Sequence, residues 1–147
     1  MRLAIGSDHA GLALRLELGK ALRARGAEFV DLGPGSGESV DYPDFAAKVC
    51  AELNAGRVQL SVLVCGTGIG MSIAANKIPG IRAALCHTEF EARAARGHND
   101  ANVLCLGERV VGTGLAGSIL YAFLDGSFEG GRHQRRVEKL AALDQTR

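Results

Sequence analysis

The sequence carries no excess of charge of either sign, because 17 lysine and arginine residues oppose 16 aspartate and glutamate residues. Proteins that bind nucleic acids usually carry a basic stripe, and only the segment 132–139 comes close to one. The uncharged run 60–76 contains three glycines and is shorter than the ~20 apolar residues of a membrane span. Asp8 and His9 stand where a signal peptide has its apolar region. We therefore expect a cytoplasmic protein with no nucleic-acid or membrane partner.

Cysteine is scarce: the chain has four, they form no C-x-x-C pair, and three of them lie in apolar runs. This pattern indicates reduced thiols rather than a disulfide framework. No spacing of potential ligands recurs along the chain, so we expect no metal site. Glycine, by contrast, is abundant, since 20 of 147 residues is roughly twice the usual ~7%. These glycines follow no G-X-Y period and must serve turns, helix ends or close backbone approaches.

Short apolar runs alternate with longer amphipathic patterns along the chain. The runs indicate five strands, at 2–6, 28–32, 60–65, 82–86 and 103–106. The amphipathic patterns predict helices at about 11–25, 44–55 with Asp44 as N-cap, 71–77, from a Thr88 capping box to near Gly97, 113–124 and 133–143. This alternation is typical of a parallel sheet covered on both faces. We expect one α/β domain over 1–147, a three-layer, doubly wound, flavodoxin- or Rossmann-like fold with strand order 2-1-3-4-5.

In that strand order the chain reverses direction between the first and third strands, and a ligand crevice is expected at their carboxyl ends. Asp8 and His9 follow the first strand, and Cys65 ends the third. Glycines then alternate over 66–70, immediately before a helix N-terminus. Such a loop presents N–H groups to an anion or oxyanion. The alternative is a tight turn that binds nothing.

Each candidate side chain also has an interpretation without function. Cys65 could act as a base or nucleophile, or it could be a small buried hydrophobic residue. Asp8 could bind sugar hydroxyls or a metal, and it could also cap the following helix. His9 could bind a ligand or lie solvated in a loop.

His98 and Asn99 follow Gly97 at the end of a helix, and the turn from that helix into the next strand lies at the sheet edge opposite Cys65. If His98 acts together with Cys65, it must therefore come from a neighbouring chain. The alternative is a helix cap stabilised by the dipole. Arg132 and Arg136 are four residues apart on one helix face and could hold a phosphate, or they could form a solvated basic face. The roles of His87 and His133 stay open.

Six ordered segments carry a resemblance to a known family. They are GSDHAG (6–11), DYP (41–43), CGTGIG (65–70), AANK (74–77), GHND (97–100) and GGRHQRRV (130–137). Together they resemble the ribose/galactose isomerase family, which includes type B ribose-5-phosphate isomerases and galactose-6-phosphate isomerase subunits. The segments span nearly the whole chain, which makes the combination highly specific.

The resemblance implies an aldose–ketose isomerase of the non-oxidative pentose phosphate pathway. It would interconvert ribose 5-phosphate and ribulose 5-phosphate through an enediolate, without metal or organic cofactor. The resemblance also implies a homodimer or homotetramer with sites between subunits, to which the C-terminal helix at about 133–143 contributes. Cys65 would be the base and His98 the acid that opens the sugar ring. Thr67 and the loop residues would stabilise the oxyanion; these loop residues are Gly66, Gly68, Ile69 and Gly70.

The remaining roles implied by the resemblance concern substrate binding. Asp8 and Asn99 would bind sugar oxygens, and Tyr42 would line the pocket. The phosphate would be held by His9, Arg132 and Arg136, with Arg109 assisting. A hexose-6-phosphate isomerase of the allose or galactose type is the enzyme alternative, although the intact Asp8-His9 pair favours a pentose. A sugar-phosphate- or nucleotide-binding module without catalysis is the second alternative, and Cys65 beside the glycine loop argues against it.

Overall fold

The computed structural model describes residues 1–144, so the last three residues of the predicted domain lie outside the described residues. The strands are β1 (Arg2–Ser7), β2 (Glu28–Asp31), β3 (Leu60–Cys65), β4 (Ala83–Leu85) and β5 (Val103–Gly107). The helices are α1 (Leu12–Ala24), α2 (Tyr42–Asn54), α3 (Ile69–Asn76), α4 (Glu89–Asn99), α5 (Thr113–Asp125) and α6 (Arg132–Leu143), with a short 3₁₀ turn at His9–Gly11 before α1. Every predicted strand and helix is present, and the predicted fold class is confirmed.

The five strands form one parallel sheet in the order β2-β1-β3-β5-β4. The predicted order 2-1-3-4-5 is therefore wrong in its last two positions. All five residues of β5 are buried, so this strand takes the interior position beside β3. Strand β4 has three residues, each of them half-buried, and lies at the edge. The switch between β1 and β3, where the ligand crevice was expected, is unaffected by this exchange.

The helices cover both faces of the sheet, and successive strand residues point to alternate faces. On one face Val62 and Val64 of β3 pack in a core with α1, α4 and α5. On the other face Leu63 and Cys65 pack in a core with α2 and α3. The Cys65 side chain therefore points toward α2 and α3, at the very end of the central strand.

Three helix boundaries differ from the prediction in ways that affect the site. Helix α2 begins at Tyr42 after an N-cap at Asp41 rather than at Asp44, because Pro43 is tolerated in a first turn, where its missing N–H has no partner to lose. Helix α3 begins at Ile69 rather than at residue 71, so the glycine loop is shorter than expected. Helix α4 continues past Gly97 to Asn99 and ends at a left-handed residue, Asp100.

The structure can be compared with two further predictions, those about membrane spans and about the cysteines. Among the described residues, no helix is long and apolar enough to cross a bilayer. The four cysteines, Cys50, Cys65, Cys86 and Cys105, are free and buried.

Candidate active site

A pocket of about 290 Å³ opens at the carboxyl ends of β1, β3 and β5, where the strand topology predicts it. Its lining residues are Asp8, His9, Ala10, Tyr42, Cys65, Gly66, Thr67, Gly70 and Arg109. These come from four separate stretches of the chain, which the parallel strands bring to one edge of the sheet. A cavity of this size suits a small ligand.

The Cys65 thiol lies at the inner end of this pocket and is 5% exposed. Its Sγ accepts a hydrogen bond from the Gly68 N–H at 3.1 Å. The loop therefore wraps around the sulfur and fixes its direction, and a positively polarised N–H group points at it. A thiol held in this way can exchange a proton with a ligand in the pocket.

The other three cysteines differ from Cys65 because they lie in the core, away from the pocket. Burial raises the pKa of the Cys50 thiol to about 12. Burial, assisted by the charge of Glu91, raises the pKa of the Cys86 thiol to about 12. Burial also raises the pKa of Cys105 well above its ordinary value. At neutral pH these three thiols are protonated and cannot serve as bases.

The glycine loop is positioned by backbone hydrogen bonds from the end of β5. The Glu108 N–H donates to the Cys65 carbonyl at 2.9 Å, and the Arg109 N–H donates to the Gly66 carbonyl at 3.0 Å. The N–H groups of Gly66 and Thr67 have no acceptor among the described residues. Donors that are already oriented beside a base suit an oxygen atom that gains negative charge.

Two glycines, Gly66 and Gly70, allow large side chains to contact the backbone beside Cys65. A Cβ at Gly66 would lie 3.2 Å from Nη1 of Arg109, and a Cβ at Gly70 would lie 2.9 Å from Cζ of Tyr42. The guanidinium and the phenol ring therefore rest directly on the loop, as walls of the pocket.

Asp8 both caps a helix and lines the pocket. Its Oδ1 accepts hydrogen bonds from the N–H groups of Ala10 at 2.9 Å and Gly11 at 3.0 Å. All of the side-chain hydrogen bonds that Asp8 makes within the described chain go to Oδ1. The capping role and a ligand-binding role for Oδ2 are therefore compatible.

His9 is oriented by a loop that is distant in sequence. Its Nδ1 accepts a hydrogen bond from the Val40 N–H at 3.2 Å. A neutral imidazole that accepts at Nδ1 carries its proton on Nε2. His9 can therefore donate a hydrogen bond from Nε2 to an anionic ligand. No sequence pattern indicates the role of Val40, because the contact joins two loops that are 31 residues apart.

Arg15 is a second supporting residue that the sequence analysis missed. Its side chain is 4% exposed, and Nε lies 3.3 Å from Asp31 Oδ1. Its Nη1 donates to Ser7 Oγ at 3.2 Å, and its Nη2 donates to the Pro34 carbonyl at 2.9 Å. Arg15 thus ties the end of β1, which precedes Asp8, to the loop that carries Val40. An arginine on the helix face that also carries Leu18 and Leu22 is the sequence signal that could have identified it.

Two loop residues predicted to bind substrate do not line the pocket. Gly68 is buried with its Cα toward Leu85 and Leu106, and its contribution is the N–H group that meets Cys65. The Ile69 side chain is 51% exposed at the start of α3, and its N–H donates to Thr67 Oγ1. Ala10, which the sequence analysis did not single out, lines the pocket instead.

Four other predicted site residues, His98, Asn99, Arg132 and Arg136, lie outside this pocket. His98 lies in the last turn of α4, and its ring stacks on His133 with the centroids 4.4 Å apart. Asn99 lines a separate cleft beside Leu140. Helix α6, which carries both arginines, packs against α4. The end of α4 lies at the amino edge of the sheet, because the chain turns there into β5. In a single chain these residues do not meet Cys65.

Fold and pocket together define a class of protein: a doubly wound α/β enzyme in which a thiol and oriented N–H donors face a small pocket. Residues 3–140 match the sequence pattern of the ribose/galactose isomerase family. Ribose-5-phosphate isomerase B of Escherichia coli is 47% identical over 146 residues, which cover 99% of this chain and 98% of that protein. The structure of Clostridium thermocellum ribose-5-phosphate isomerase B superposes with a TM-score of 0.98 at 49% identity, covering 99% of both chains.

A third relative carries a different substrate in its name. The D-erythrulose-4-phosphate isomerase of Pectobacterium atrosepticum is 43% identical over 141 residues, which cover 95% of this chain and 93% of that protein. The chain belongs to the ribose/galactose isomerase family, and it is a sugar-phosphate isomerase.

Proposed function

We propose that this chain interconverts ribose 5-phosphate and ribulose 5-phosphate through an enediolate, as a step of the non-oxidative pentose phosphate pathway. The observation that carries this proposal is the Cys65 thiol, which lies in the pocket beside the N–H groups of the glycine loop. The relatives from Escherichia coli and Clostridium thermocellum, both named for ribose 5-phosphate, support the choice of substrate.

The reaction needs a base and an oxyanion site in the same place. A proton on the carbon next to a carbonyl is only weakly acidic, so its removal requires a positioned base and donors aimed at the oxygen that gains charge. Cys65 takes the proton from C2 of the aldose and returns it to C1, while the hydroxyl proton moves from O2 to O1. The N–H groups of Gly66 and Thr67 stabilise the charge on the enediolate oxygen, and Asp8 and Tyr42 bind and enclose the sugar.

Ring opening and phosphate binding require residues from the other edge of the sheet. In the proposed assembly, a homodimer or homotetramer, a neighbouring copy brings His98, the acid that opens the furanose ring, and Asn99, which binds a sugar oxygen. The same copy brings Arg132 and Arg136 on α6 to the phosphate. His9 donates from Nε2 to the phosphate, with Arg109 beside it on the loop.

The length of the sugar chain distinguishes the proposed substrate from its alternatives. The Pectobacterium relative is named for a four-carbon sugar phosphate, and hexose 6-phosphates are the alternative at the other end of the range. Parallel assays with ribose 5-phosphate, D-erythrulose 4-phosphate, allose 6-phosphate and galactose 6-phosphate, all with a chelator present, separate these substrates. We expect the highest kcat/KM with ribose 5-phosphate.

Replacing the base tests the mechanism directly. We expect Cys65→Ser to lower kcat by about 10²–10⁴-fold, the usual contribution of a positioned general base, with a much smaller change in KM. In D₂O, the thiol proton can exchange with solvent before it is returned, so part of the wild-type product is expected to carry deuterium at C1. Cys86→Ala is the matched control, because it removes a buried thiol outside the pocket. Near-wild-type turnover of Cys65→Ser would reject Cys65 as the base.

A further inference from the structure

Three potential metal ligands meet at the end of α4, outside the pocket. They are His98, Glu129 and His133, and their ligand atoms all lie within 4.8 Å of one another. Oε2 of Glu129 lies 3.9 Å from Nε2 of His98 and 3.8 Å from Nε2 of His133. The two imidazole rings stack with an interplanar angle of 7°, so both present the same edge to the carboxylate.

We propose that His98, Glu129 and His133 form a binding site for a divalent transition-metal ion, and that Zn²⁺ is the ion it suits best. Two imidazoles and one carboxylate are the protein ligands of open zinc sites, in which water takes the fourth position. Tetrahedral zinc with ligands at 2.0–2.2 Å separates its donor atoms by about 3.3 Å. The observed separations of 3.8 and 3.9 Å from Oε2 of Glu129 exceed this value by about half an ångström, and the two stacked rings must also turn apart before both nitrogens reach one ion.

The backbone holds the carboxylate next to the first histidine. The Glu129 N–H donates to the Gly97 carbonyl at 3.0 Å, which joins the loop before α6 to the last turn of α4. A Cβ at Gly97 would lie 2.9 Å from Oε1 of Glu129, so the absent side chain makes room for the carboxylate. His133, at the start of α6, is 10% exposed and donates its N–H to the Gly130 carbonyl. Two segments that are distant in sequence are thus fixed to each other at the ligands.

The stacked imidazoles must turn apart to share a metal, because the lone pair of each Nε2 lies in its ring plane and parallel rings cannot both point at one ion. The His98 side chain is 45% exposed, so its ring has room to turn. The neutral imidazole is the form that coordinates a metal. Arg132 and Arg136 carry the same sign of charge as the metal, so we expect weaker binding than at a structural zinc site.

The absence of recurring ligand spacing in the sequence does not contradict this site. Glu129 and His133 are four residues apart, and folding adds His98 from α4. A second exposed pair, His87 and Glu91, has a similar separation of 3.7 Å but offers only two ligands. This pair provides a matched control for nonspecific binding by a histidine and a carboxylate.

The test is a calorimetric titration of the full chain with Zn²⁺, repeated with Co²⁺ and read by visible absorption. We expect one tight equivalent per chain in the wild type and a nitrogen–oxygen Co²⁺ spectrum without a thiolate band. Loss of an outer-shell partner weakens metal binding by about 10–100-fold, so loss of a ligand in Glu129→Gln or His133→Asn is expected to weaken it by at least about tenfold. His87→Asn should bind Zn²⁺ like the wild type.

The active-site pocket offers a competing set of ligands in Asp8, His9 and Cys65, and Cys65→Ser tests it. We expect Cys65→Ser to keep the tight equivalent. Circular dichroism in EDTA establishes that each variant is folded before metal is added. Absence of a tight equivalent, its loss in Cys65→Ser, or unchanged affinity in both Glu129→Gln and His133→Asn would overturn the proposed site.

One consequence rests on the proposed function. Zn²⁺ bound at Nε2 of His98 would occupy the nitrogen that must carry the proton for ring opening, so we expect Zn²⁺ to inhibit and EDTA to restore turnover. The Zn²⁺ concentration for half-inhibition should rise at least about tenfold in Glu129→Gln, with each variant compared with its own rate in EDTA. Zn²⁺ binding at these ligands without inhibition would support the metal site and contradict the role of His98 in the reaction.

Discussion

At the scale of single residues, the four cysteines show how position decides chemistry. Cys50, Cys86 and Cys105 are at most 1% exposed, whereas Cys65 lines a cavity at the end of a central strand. Burial raises the pKa of Cys50 and Cys86 to about 12. Since the thiolate is the reactive form of cysteine, both access and protonation protect these thiols from electrophiles.

Alkylation with iodoacetamide under native conditions tests this difference. We expect Cys65 to be modified first, because a small reagent can enter the pocket, and we expect ribose 5-phosphate to slow its modification. Peptide mass spectrometry identifies the labelled cysteine, and denatured protein, in which all four react, is the control. Labelling of Cys50, Cys86 or Cys105 before Cys65 would contradict this assignment.

Residue types at the site could be predicted from the sequence, but their hydrogen bonds could not. Asp8, His9 and Cys65 are recognisable because they follow strands that meet at a topological switch. The tautomer of His9 depends on the Val40 N–H, and the support from Arg15 depends on Asp31 and Pro34. These contacts join loops whose relative positions follow from the fold and leave no local pattern.

At the scale of elements, the connection from β3 to α3 depends on one backbone conformation. Gly68 has a φ of 78°, in the left-handed region, and a Cβ there would lie 2.5 Å from Cδ1 of Leu85 and 2.9 Å from the carbonyl carbon of Leu106. Its N–H meets the Cys65 sulfur. A side chain at position 68 would therefore strain the backbone and overpack the core, and both effects would displace the loop that orients the thiol.

Two alanine substitutions separate this glycine from one that is free to change. Gly68→Ala is expected to lower the free energy of unfolding by roughly 1–3 kcal/mol and to lower kcat as well. Gly117 lies inside α5 with no atom near a Cβ, so Gly117→Ala is expected to raise the free energy of unfolding by about 0.5–1 kcal/mol. Urea denaturation measures both. Equal effects of the two substitutions would contradict the constraint on Gly68.

Strands and helices could be predicted because their apolar periods are local, whereas the order of neighbouring strands could not. The exchange of β4 and β5 follows from burial: β5 is buried throughout, and β4 is short and half-buried. Similarly, Gly97 resembles a helix stop in the sequence, but in the structure it lies within α4 and makes room for Glu129. The order of these strands and the role of Gly97 depend on contacts with residues that are distant in the sequence.

At the scale of the whole molecule, the predicted site residues form two groups at opposite edges of the sheet. The first group surrounds Cys65, and the second lies around His98 at the junction of α4 and α6. No rearrangement within one doubly wound sheet brings its two edges together. If both groups act on one substrate, two copies of the chain must pack with the carboxyl edge of one against the amino edge of the other. Symmetry then creates two equivalent sites in a dimer.

Mixing two inactive variants tests this arrangement. In a heterodimer of Cys65→Ala and His98→Ala chains, one site combines both substitutions and the other has the native Cys65 and the native His98. Random mixing makes about half of the dimers mixed, so about a quarter of wild-type activity is expected to return. Native mass spectrometry measures the heterodimer fraction, and each variant alone is the control. Mixed dimers without activity would show that His98 does not act on the neighbouring copy's pocket, because a site built within one chain cannot be restored by exchanging partners.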